Sequence, residues 1–144
     1  MESLMTTAQF MRNFEYNSNV FDMPALIAQF AETIMVAGTE GVNVVRASDF
    51  ASVLPKRKKL FDEMGCRTSE LISMKETAIN TRYRLIDTQW RMLFADRTGA
   101  CEERDVLADS TFVIDIGGDD PKIILYMPHQ DIISTLKNQE IPAE

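Results

Sequence analysis

The chain has few of the side chains that most metal-binding and acid–base sites require. Its 144 residues include one histidine, His129, and two cysteines, Cys66 and Cys101. A single histidine excludes every zinc site that needs two, and the two cysteines are too far apart in sequence for metal-binding spacing. Among the glycines, only Gly117 and Gly118 are adjacent, and this pair is typical of a turn between strands. The sequence therefore predicts neither a metal site nor a cofactor.

Positive charge and long apolar runs are also scarce. The chain has 15 lysines and arginines against 22 acidic residues, a net charge of -7, which argues against a nucleic-acid partner. The basic run at residues 56–59 predicts a solvated helix face, with anion contact as the alternative. No apolar run approaches the roughly 18 residues needed to span a bilayer, and the first residues do not have the pattern expected of a hydrophobic leader. We expect a cytoplasmic protein with reduced cysteines and no membrane partner.

Alternating polarity in the middle of the chain predicts antiparallel strands. Along residues 82–95, one face carries Ile86, Thr88, Trp90, Met92 and Phe94, and the other carries Leu85, Asp87, Gln89, Arg91 and Leu93. Residues 105–116 repeat the pattern, with Val106, Ala108, Ser110, Phe112, Ile114 and Ile116 against Leu107, Asp109, Thr111, Val113 and Asp115. One face of each strand is apolar and the other is mixed. This combination is typical of a sheet with one buried face.

Two further strands complete a predicted four-strand antiparallel meander over residues 68–127. Residues 70–79 precede the central pair, and residues 80–81 predict a two-residue turn into it. Residues 122–127 (KIILYM) are apolar on both faces and predict a last strand covered on both sides.

The two predicted turns set the register of the strands. The first turn places Glu70 opposite Arg91. The loop at residues 96–104 places Arg91 opposite Asp109 and Trp90 opposite Ser110. We therefore expect Arg91 to contact Glu70, Asp109 or both.

The first part of the chain predicts mostly helices. Residues 1–16 have amphipathic spacing, and residues 16–20 (YNSNV) predict a polar break. Asp22 can cap a helix over residues 24–37, in which Pro24 fits the first turn and Gly38 the end.

Residues 41–47 (GVNVVRA) are β-branched and predict a short strand. A further helix begins at Ser48 or Asp49, with a kink or restart at Pro55, and runs to Met64. Residues 131–138 predict a short final helix.

The order of helices, short extended segment, helix and long strands, with the strand text TRYRLIDTQWRMLF and ADSTFVIDIGGDDPKIILYMPHQD, resembles the nuclear-transport-factor-2-like superfamily, and more narrowly its SnoaL-like branch. The resemblance covers roughly residues 21–136. It implies an α+β, cystatin-like cone, in which a curved antiparallel sheet of at least four strands wraps around N-terminal helices. The length allows one domain, with residues 1–20 as a helical extension, 21–138 as the cone and 139–144 as a tail.

The resemblance also implies a homodimer through the outer sheet face and a pocket at the open end of the cone. In this family the pocket serves isomerases, cyclases, dehydratases and hydrolases, as well as proteins that bind without catalysis. The enzymes generally place an Asp or His inside an apolar cone, where burial raises the pKa of a carboxyl group. Here Asp87, Asp109 and Asp115 all fall on the mixed face.

The apolar face supplies the candidate ligand-binding residues Trp90, Thr88, Ser110 and Phe112. Their aromatic rings and neutral hydroxyls suit a small apolar or aromatic ligand, although Trp90 could instead fill the core. Tyr83 and Tyr126 lie on strands, and whether their hydroxyls reach the pocket stays open.

His129 follows the last strand and is the candidate catalytic residue. It would act as a base at the rim of the cone, or it is a surface or capping residue. The sequence thus predicts a protein that binds a small apolar ligand or acts as a dimeric scaffold without turnover. The alternative is a small-molecule isomerase, cyclase or hydrolase that uses His129 or a pocket Asp.

Overall fold

The structure, a computed structural model, describes residues 6–95 and 104–130. Its helices are α1 (Thr7–Val20), α2 (Met23–Ala28) and α3 (Ala47–Glu63). Its strands are β1 (Phe30–Gly38), β2 (Gly41–Arg46), β3 (Cys66–Ala78), β4 (Tyr83–Phe94), β5 (Arg104–Asp115) and β6 (Lys122–Pro128). Cys101 and the predicted helix at residues 131–138 lie outside the described residues.

The six strands form one sheet in the order β2-β1-β6-β5-β4-β3. The antiparallel meander predicted over residues 68–127 is confirmed as β3 to β6. The β1–β2 hairpin joins it through a parallel pairing of β1 with β6. Irregular register occurs in β1, β3 and β6, and such bulges increase the local twist of a sheet. The predicted α+β class, a curved sheet of at least four strands with N-terminal helices, is confirmed, and the sheet is unclosed.

The register between β3 and β4 agrees with the prediction around Glu70 and Leu71. Glu70 lies opposite Arg91, and Leu71 lies opposite Trp90. Arg91 Nη2 stands 2.5 Å from Glu70 Oε1, so the predicted cross-strand ion pair is confirmed.

The register between β4 and β5 differs from the prediction by two residues. Trp90 lies opposite Ala108, and Asp109 lies opposite Gln89. The predicted pairing of Arg91 opposite Asp109 is therefore wrong, since Gln89 takes that place with Nε2 at 3.3 Å from Asp109 Oδ1, while Arg91 contacts the other expected partner, Glu70. A shift of two residues leaves every side chain on its predicted face, because the side-chain period of a strand is two.

The predicted apolar face is the buried face of the sheet. The core includes Ile86, Trp90, Phe94, Phe112, Ile114 and Ile123 from β4, β5 and β6. Helix α1 packs Phe10 and Met11 against them. A second cluster joins Phe61 of α3 to Phe94 at the far end of β4.

The helix predicted over residues 24–37 is wrong beyond its first turns. Asp22 does cap α2, since the Ala25 N–H donates to Asp22 Oδ1 at 3.2 Å, but the helix ends at Ala28. From Phe30 the chain forms β1, which pairs with β2 on one side and β6 on the other. Gly38 ends a strand opposite Gly41, whose φ of 138° suits glycine in the hairpin. The short strand predicted at residues 41–47 is confirmed as β2.

The polar break predicted at residues 16–20 is also wrong, because α1 continues to Val20. The helix begins with a capping box between Thr6 and Gln9 and ends at Phe21, whose φ of 56° is left-handed. Both asparagines of the predicted break form tertiary hydrogen bonds: Asn17 donates to Gln29 Oε1 at 3.1 Å, and Asn19 donates to Ser69 O at 2.9 Å. Tertiary hydrogen bonds thus compensate for the low helix propensity of asparagine.

Side chains of α1 cover the exposed edge of β3. Asn19 accepts from Ser69 N and donates to Ser69 O, both at 2.9 Å. Glu15 Oε2 accepts from Leu71 N, and Arg12 Nη1 donates to Leu71 O, also at 2.9 Å. These side chains satisfy backbone groups that an edge strand otherwise leaves open to pairing with another chain.

Helix α3 is continuous through Pro55, so the predicted restart does not occur. Its N-cap is Arg46 rather than Ser48 or Asp49, and Asp49 lies in the first turn, where a carboxylate interacts favourably with the helix dipole. Within the described ranges, no helix has the length and apolar character required to cross a bilayer.

Candidate functional site

A partly open cavity of about 390 Å³ lies between the inner face of the sheet and helices α1 and α3. Its apolar wall includes Phe14, Phe30, Phe50, Trp90, Met92 and Phe112. Such a volume matches the clefts that hold small organic molecules.

The aromatic rings of this wall hold one another in place. Phe14 makes edge-to-face contacts with Trp90 and Phe112, at centroid distances of 6.2 and 5.4 Å. The ring of Phe112 in turn lies 5.2 Å from that of Tyr126. Contacts of this kind add about 0.5–1.5 kcal/mol each beyond buried area, so the wall is preformed rather than assembled by a ligand.

Buried hydroxyls form a closed network behind the wall. Trp90 Nε1 donates to Thr88 Oγ1 at 2.9 Å, and the Thr88 hydroxyl donates to the Ser110 carbonyl at 2.8 Å. Because Thr88 has one proton, the remaining 2.8 Å contact between the two hydroxyls requires Ser110 Oγ to donate to Thr88. Ser110 Oγ therefore keeps only lone pairs for a ligand.

Three of the four predicted ligand-binding residues line the cavity. Trp90, Ser110 and Phe112 contribute to its wall. Thr88 does not line it: it is buried behind Trp90 and Ser110, where its hydroxyl orients both of them.

Helix α3 contributes residues to the cavity that the sequence placed on a solvated face. Leu54, Arg57 and Phe61 line it at the spacing of one helix face, and Lys58 joins them. The predicted solvated side thus holds for Lys56, Arg57 and Lys59, which are exposed, whereas Lys58 is half-buried. Arg57 is both exposed and part of the lining, so it stands at the opening.

Tyr126 of β6 also lines the cavity. Its ring is half-buried because the cavity reaches it, yet enough protein surrounds the phenol that burial raises its pKa, an effect that the charge of Arg57 partly opposes. Within the described part of the chain, the Tyr126 hydroxyl has no hydrogen-bond partner. Tyr83 lies outside the cavity lining.

His129 lies away from the cavity lining, beside the mixed face of the sheet. Thr111 Oγ1 donates to Asp87 Oδ1 at 2.8 Å, since a carboxylate only accepts. The 2.7 Å contact between Thr111 Oγ1 and His129 Nε2 therefore takes its proton from Nε2. This places a proton on His129 Nε2 and the ring on the outer surface.

The carboxylates of the cavity lining already have partners. Asp62 Oδ1 accepts from Lys58 Nζ at 2.6 Å. Asp109 Oδ2 accepts from Gln130 Nε2 at 3.1 Å, and its other oxygen faces Gln89. Among the residues that the structure describes, no three His, Cys, Asp or Glu side chains are grouped as metal ligands.

Cys66 also lines the cavity and is a free thiol. Burial raises its pKa, with opposing contributions from the Lys58 charge and a hydrogen bond to Ser69. A thiol with a raised pKa is a poor nucleophile at neutral pH. Cys66 is therefore part of the wall rather than a reactive centre.

Comparison by sequence gives no relative, since neither a protein-family model nor a curated protein matches the chain. Comparison by structure gives many similar solved structures. A nuclear-transport-factor-2-like protein with a cystatin-like fold from Novosphingobium aromaticivorans superposes with a TM-score of 0.67 at 9% identity, covering 89% of this chain and 84% of its own.

Two further solved structures have similar coverage. The beta subunit of benzoate 1,2-dioxygenase from Burkholderia mallei has a TM-score of 0.64 at 12% identity, covering 92% of this chain and 99% of its own. A protein from Xanthomonas campestris, provisionally named a polyketide cyclase, has a TM-score of 0.57 at 15% identity, covering 90% and 93%. At such identities the likeness establishes architecture. The chain has the nuclear-transport-factor-2-like, cystatin-like fold.

Proposed function

We propose that the protein binds a small apolar or aromatic ligand in the cavity between α3 and the sheet, without turnover. The observation that carries the proposal is the preformed aromatic wall around a space of about 390 Å³. Burial of an aromatic ring against Trp90 and Phe112 releases water from apolar surface on both partners, which is the main source of affinity in such sites.

The hydroxyl network supports selectivity for a ligand with a hydrogen-bond donor. Because Thr88 is saturated by its three hydrogen bonds, Ser110 Oγ offers lone pairs at a fixed position in the wall. A ligand N–H or O–H that reaches Ser110 gains a hydrogen bond without requiring the network to reorganise.

The enzymatic alternative lacks a free general base in the described cavity wall. A cyclase or isomerase would need one within hydrogen-bonding reach of its substrate. His129 contacts Thr111 instead, and Asp62 and Asp109 are engaged by Lys58 and by glutamine amides. This arrangement favours binding over proton abstraction.

A fluorescence titration tests the proposal directly, because Trp90 is the sole tryptophan of the chain. We expect emission to change on addition of compounds from a panel of bicyclic and monocyclic aromatics, with dissociation constants on the micromolar scale. Calorimetry on Trp90→Phe should show changed, weaker binding by a protein that remains folded.

His129→Ala is the matched control on the outer face and should leave binding intact. A catalytic role would instead make this substitution cost about a hundredfold or more in the rate of any turnover found with the same panel. Absence of a fluorescence and a calorimetric response to every compound would refute the proposal.

A second candidate role, a homodimer formed through the outer sheet face, is supported by exposed apolar side chains there. Leu107 is 54% exposed on β5, and Met127 is 38% exposed on β6. Met127 lies opposite Thr111 and next to the half-buried Val113, whereas Leu107 lies opposite Arg91, further along β5. Exposed apolar side chains on one sheet face are typical of an association surface.

Light scattering at tens of micromolar tests this role. We expect the mass of a dimer for the wild type and a shift toward monomer for Leu107→Asp. Val44→Asp introduces the same charge at an exposed valine of β2, at the far edge of the sheet, and should leave the mass unchanged. A wild-type monomer at these concentrations would contradict the dimer.

A further inference from the structure

The charged groups around the cavity are not balanced. Lys58 and Asp62 neutralise each other at 2.6 Å, and Asp109 is bonded to Gln130. Arg67 has an interaction of its own. Arg57 differs from all of these, because no carboxylate lies within ion-pair distance of it among the described residues.

The Arg57 guanidinium is instead held against an aromatic ring. Its Cζ lies 4.8 Å from the centroid of Phe61, which is buried and packs on Phe94 at 6.4 Å. Stacking of this kind fixes the plane of the guanidinium and leaves its N–H edge free to donate. At this edge a carboxylate can accept two parallel hydrogen bonds.

Tyr126 supplies a second unpaired donor in the same cavity. Burial raises its pKa, so the phenol stays protonated at neutral pH and can donate an O–H. Tyr126 and Arg57 line the same cavity. Both groups favour an acceptor, and an acceptor that carries negative charge satisfies both.

The position of Arg57 also determines how such an acceptor is solvated. A carboxylate taken fully out of water pays a desolvation cost that one ion pair rarely recovers. Arg57 is exposed at the opening, so an anion beside it keeps water on one side while the rest of the ligand reaches the aromatic wall. The charged group of the ligand thus stays partly hydrated, while its apolar part lies against apolar side chains.

We propose that the ligand is an aromatic or alicyclic carboxylate, whose anionic head is held by Arg57 and Tyr126 and whose apolar body packs on Trp90 and Phe112. This inference deepens the proposed binding function and rests on it. The recognition element is local, since the chain as a whole carries a net charge of -7 and would repel an anion at long range.

The test compares each carboxylic acid with its neutral primary amide, which has nearly the same shape. Calorimetry at pH 7.5 should give the acid at least about tenfold tighter binding, the magnitude expected for one charge-assisted hydrogen-bonded pair. Arg57→Gln should abolish this preference and leave amide binding unchanged. Arg57→Lys should keep part of it, because an ammonium group cannot form the two-pronged contact.

Lys56→Gln is the matched control, since Lys56 is the exposed neighbour of Arg57 outside the cavity lining. It removes the same charge from the same basic run and should leave the acid preference intact. Tyr126→Phe should weaken acid binding several-fold and amide binding less, because a neutral carbonyl accepts a weaker hydrogen bond than a carboxylate.

The outcomes separate the two proposals. Equal binding of acids and amides, or a preference that survives Arg57→Gln, overturns the carboxylate inference and leaves apolar ligand binding standing. An acid preference lost equally in Lys56→Gln overturns it as well, because it would reflect general charge rather than a site. Failure of acids, amides and hydrocarbons alike refutes the binding function itself.

Discussion

The polar side chains on the two faces of β4 and β5 find their hydrogen-bond partners in different ways. On the inner face, Thr88 and Ser110 are buried and share neutral hydrogen bonds with Trp90. On the outer face, Thr111 links the carboxylate of Asp87 to the ring of His129 at the surface. Neutral groups can be buried when they satisfy one another, whereas charged groups require water nearby. The inner face is therefore suited to hold a ligand, and Asp109 at the cavity lining is engaged by the amides of Gln89 and Gln130.

Adjacent residues of β5 give the largest expected contrast between the faces. Phe112 is 1% exposed on the inner face, and Val113 is half-buried on the outer face. Phe112→Ala should lower the free energy of unfolding by about 3–5 kcal/mol, and Val113→Ala by about 1 kcal/mol, because only the first leaves a large cavity in the core. Urea denaturation measures both. Comparable losses would show that the outer face is buried too, as a dimer interface would make it.

Two threonines give an intermediate contrast. Thr88→Val keeps shape but leaves Trp90 Nε1 and Ser110 Oγ without a partner, which should cost about 1–3 kcal/mol in urea denaturation. Thr111→Val should lower the free energy of unfolding by less, since Asp87 and His129 can form hydrogen bonds with water instead. Equal costs would contradict the distinction between a closed inner network and a hydrated outer one.

The smallest effect is expected from an ion pair at the outer end of the sheet. Arg82 makes two hydrogen bonds to Asp115, at 2.9 and 3.0 Å, and lowers the pKa of that carboxyl. A carboxyl with a lowered pKa stabilises the fold at neutral pH, and this contribution disappears as pH falls through the lowered value. Asp115→Asn should thus lower the urea midpoint slightly at pH 7.

The difference between Asp115→Asn and the wild type should shrink as pH falls below the ordinary aspartate pKa of 3.8. Added salt should reduce it at every pH, because most of Arg82 is exposed. A difference that grows in acid would contradict the assigned direction of the pKa shift.

Sequence patterns predicted the meander because its strands alternate over long segments. The pattern was ambiguous at residues 24–37, where Phe30 and Ile34 suit one helix face and equally one strand face. The β-branched Thr33, Ile34 and Val36, followed by the glycines of the β1–β2 hairpin, were the signal for a strand. Pairing with β6, which no local pattern reveals, decides between the two.

The sequence predicted only those residues of the candidate site whose position depends on the pattern within a single strand. Alternation alone placed Trp90, Ser110 and Phe112 on the cavity side. The role of Arg57 depends on how α3 is rotated against the sheet, and that rotation is set by tertiary packing of Leu54 and Phe61. The register of β5 was off by two residues because face polarity is unchanged by such a shift.

The parallel pairing of β1 with β6 has a consequence for how the chain folds during synthesis. All other strand pairs join strands that are consecutive in the chain. Phe30 of β1 pairs instead with Ile123 of β6, which is synthesised much later. The β1–β2 hairpin therefore leaves the ribosome long before its second partner, and one edge of β1 stays open in the interval. Folding of the N-terminal third should be the late, rate-limiting event, and a chaperone that recognises open strand edges would act on this hairpin first.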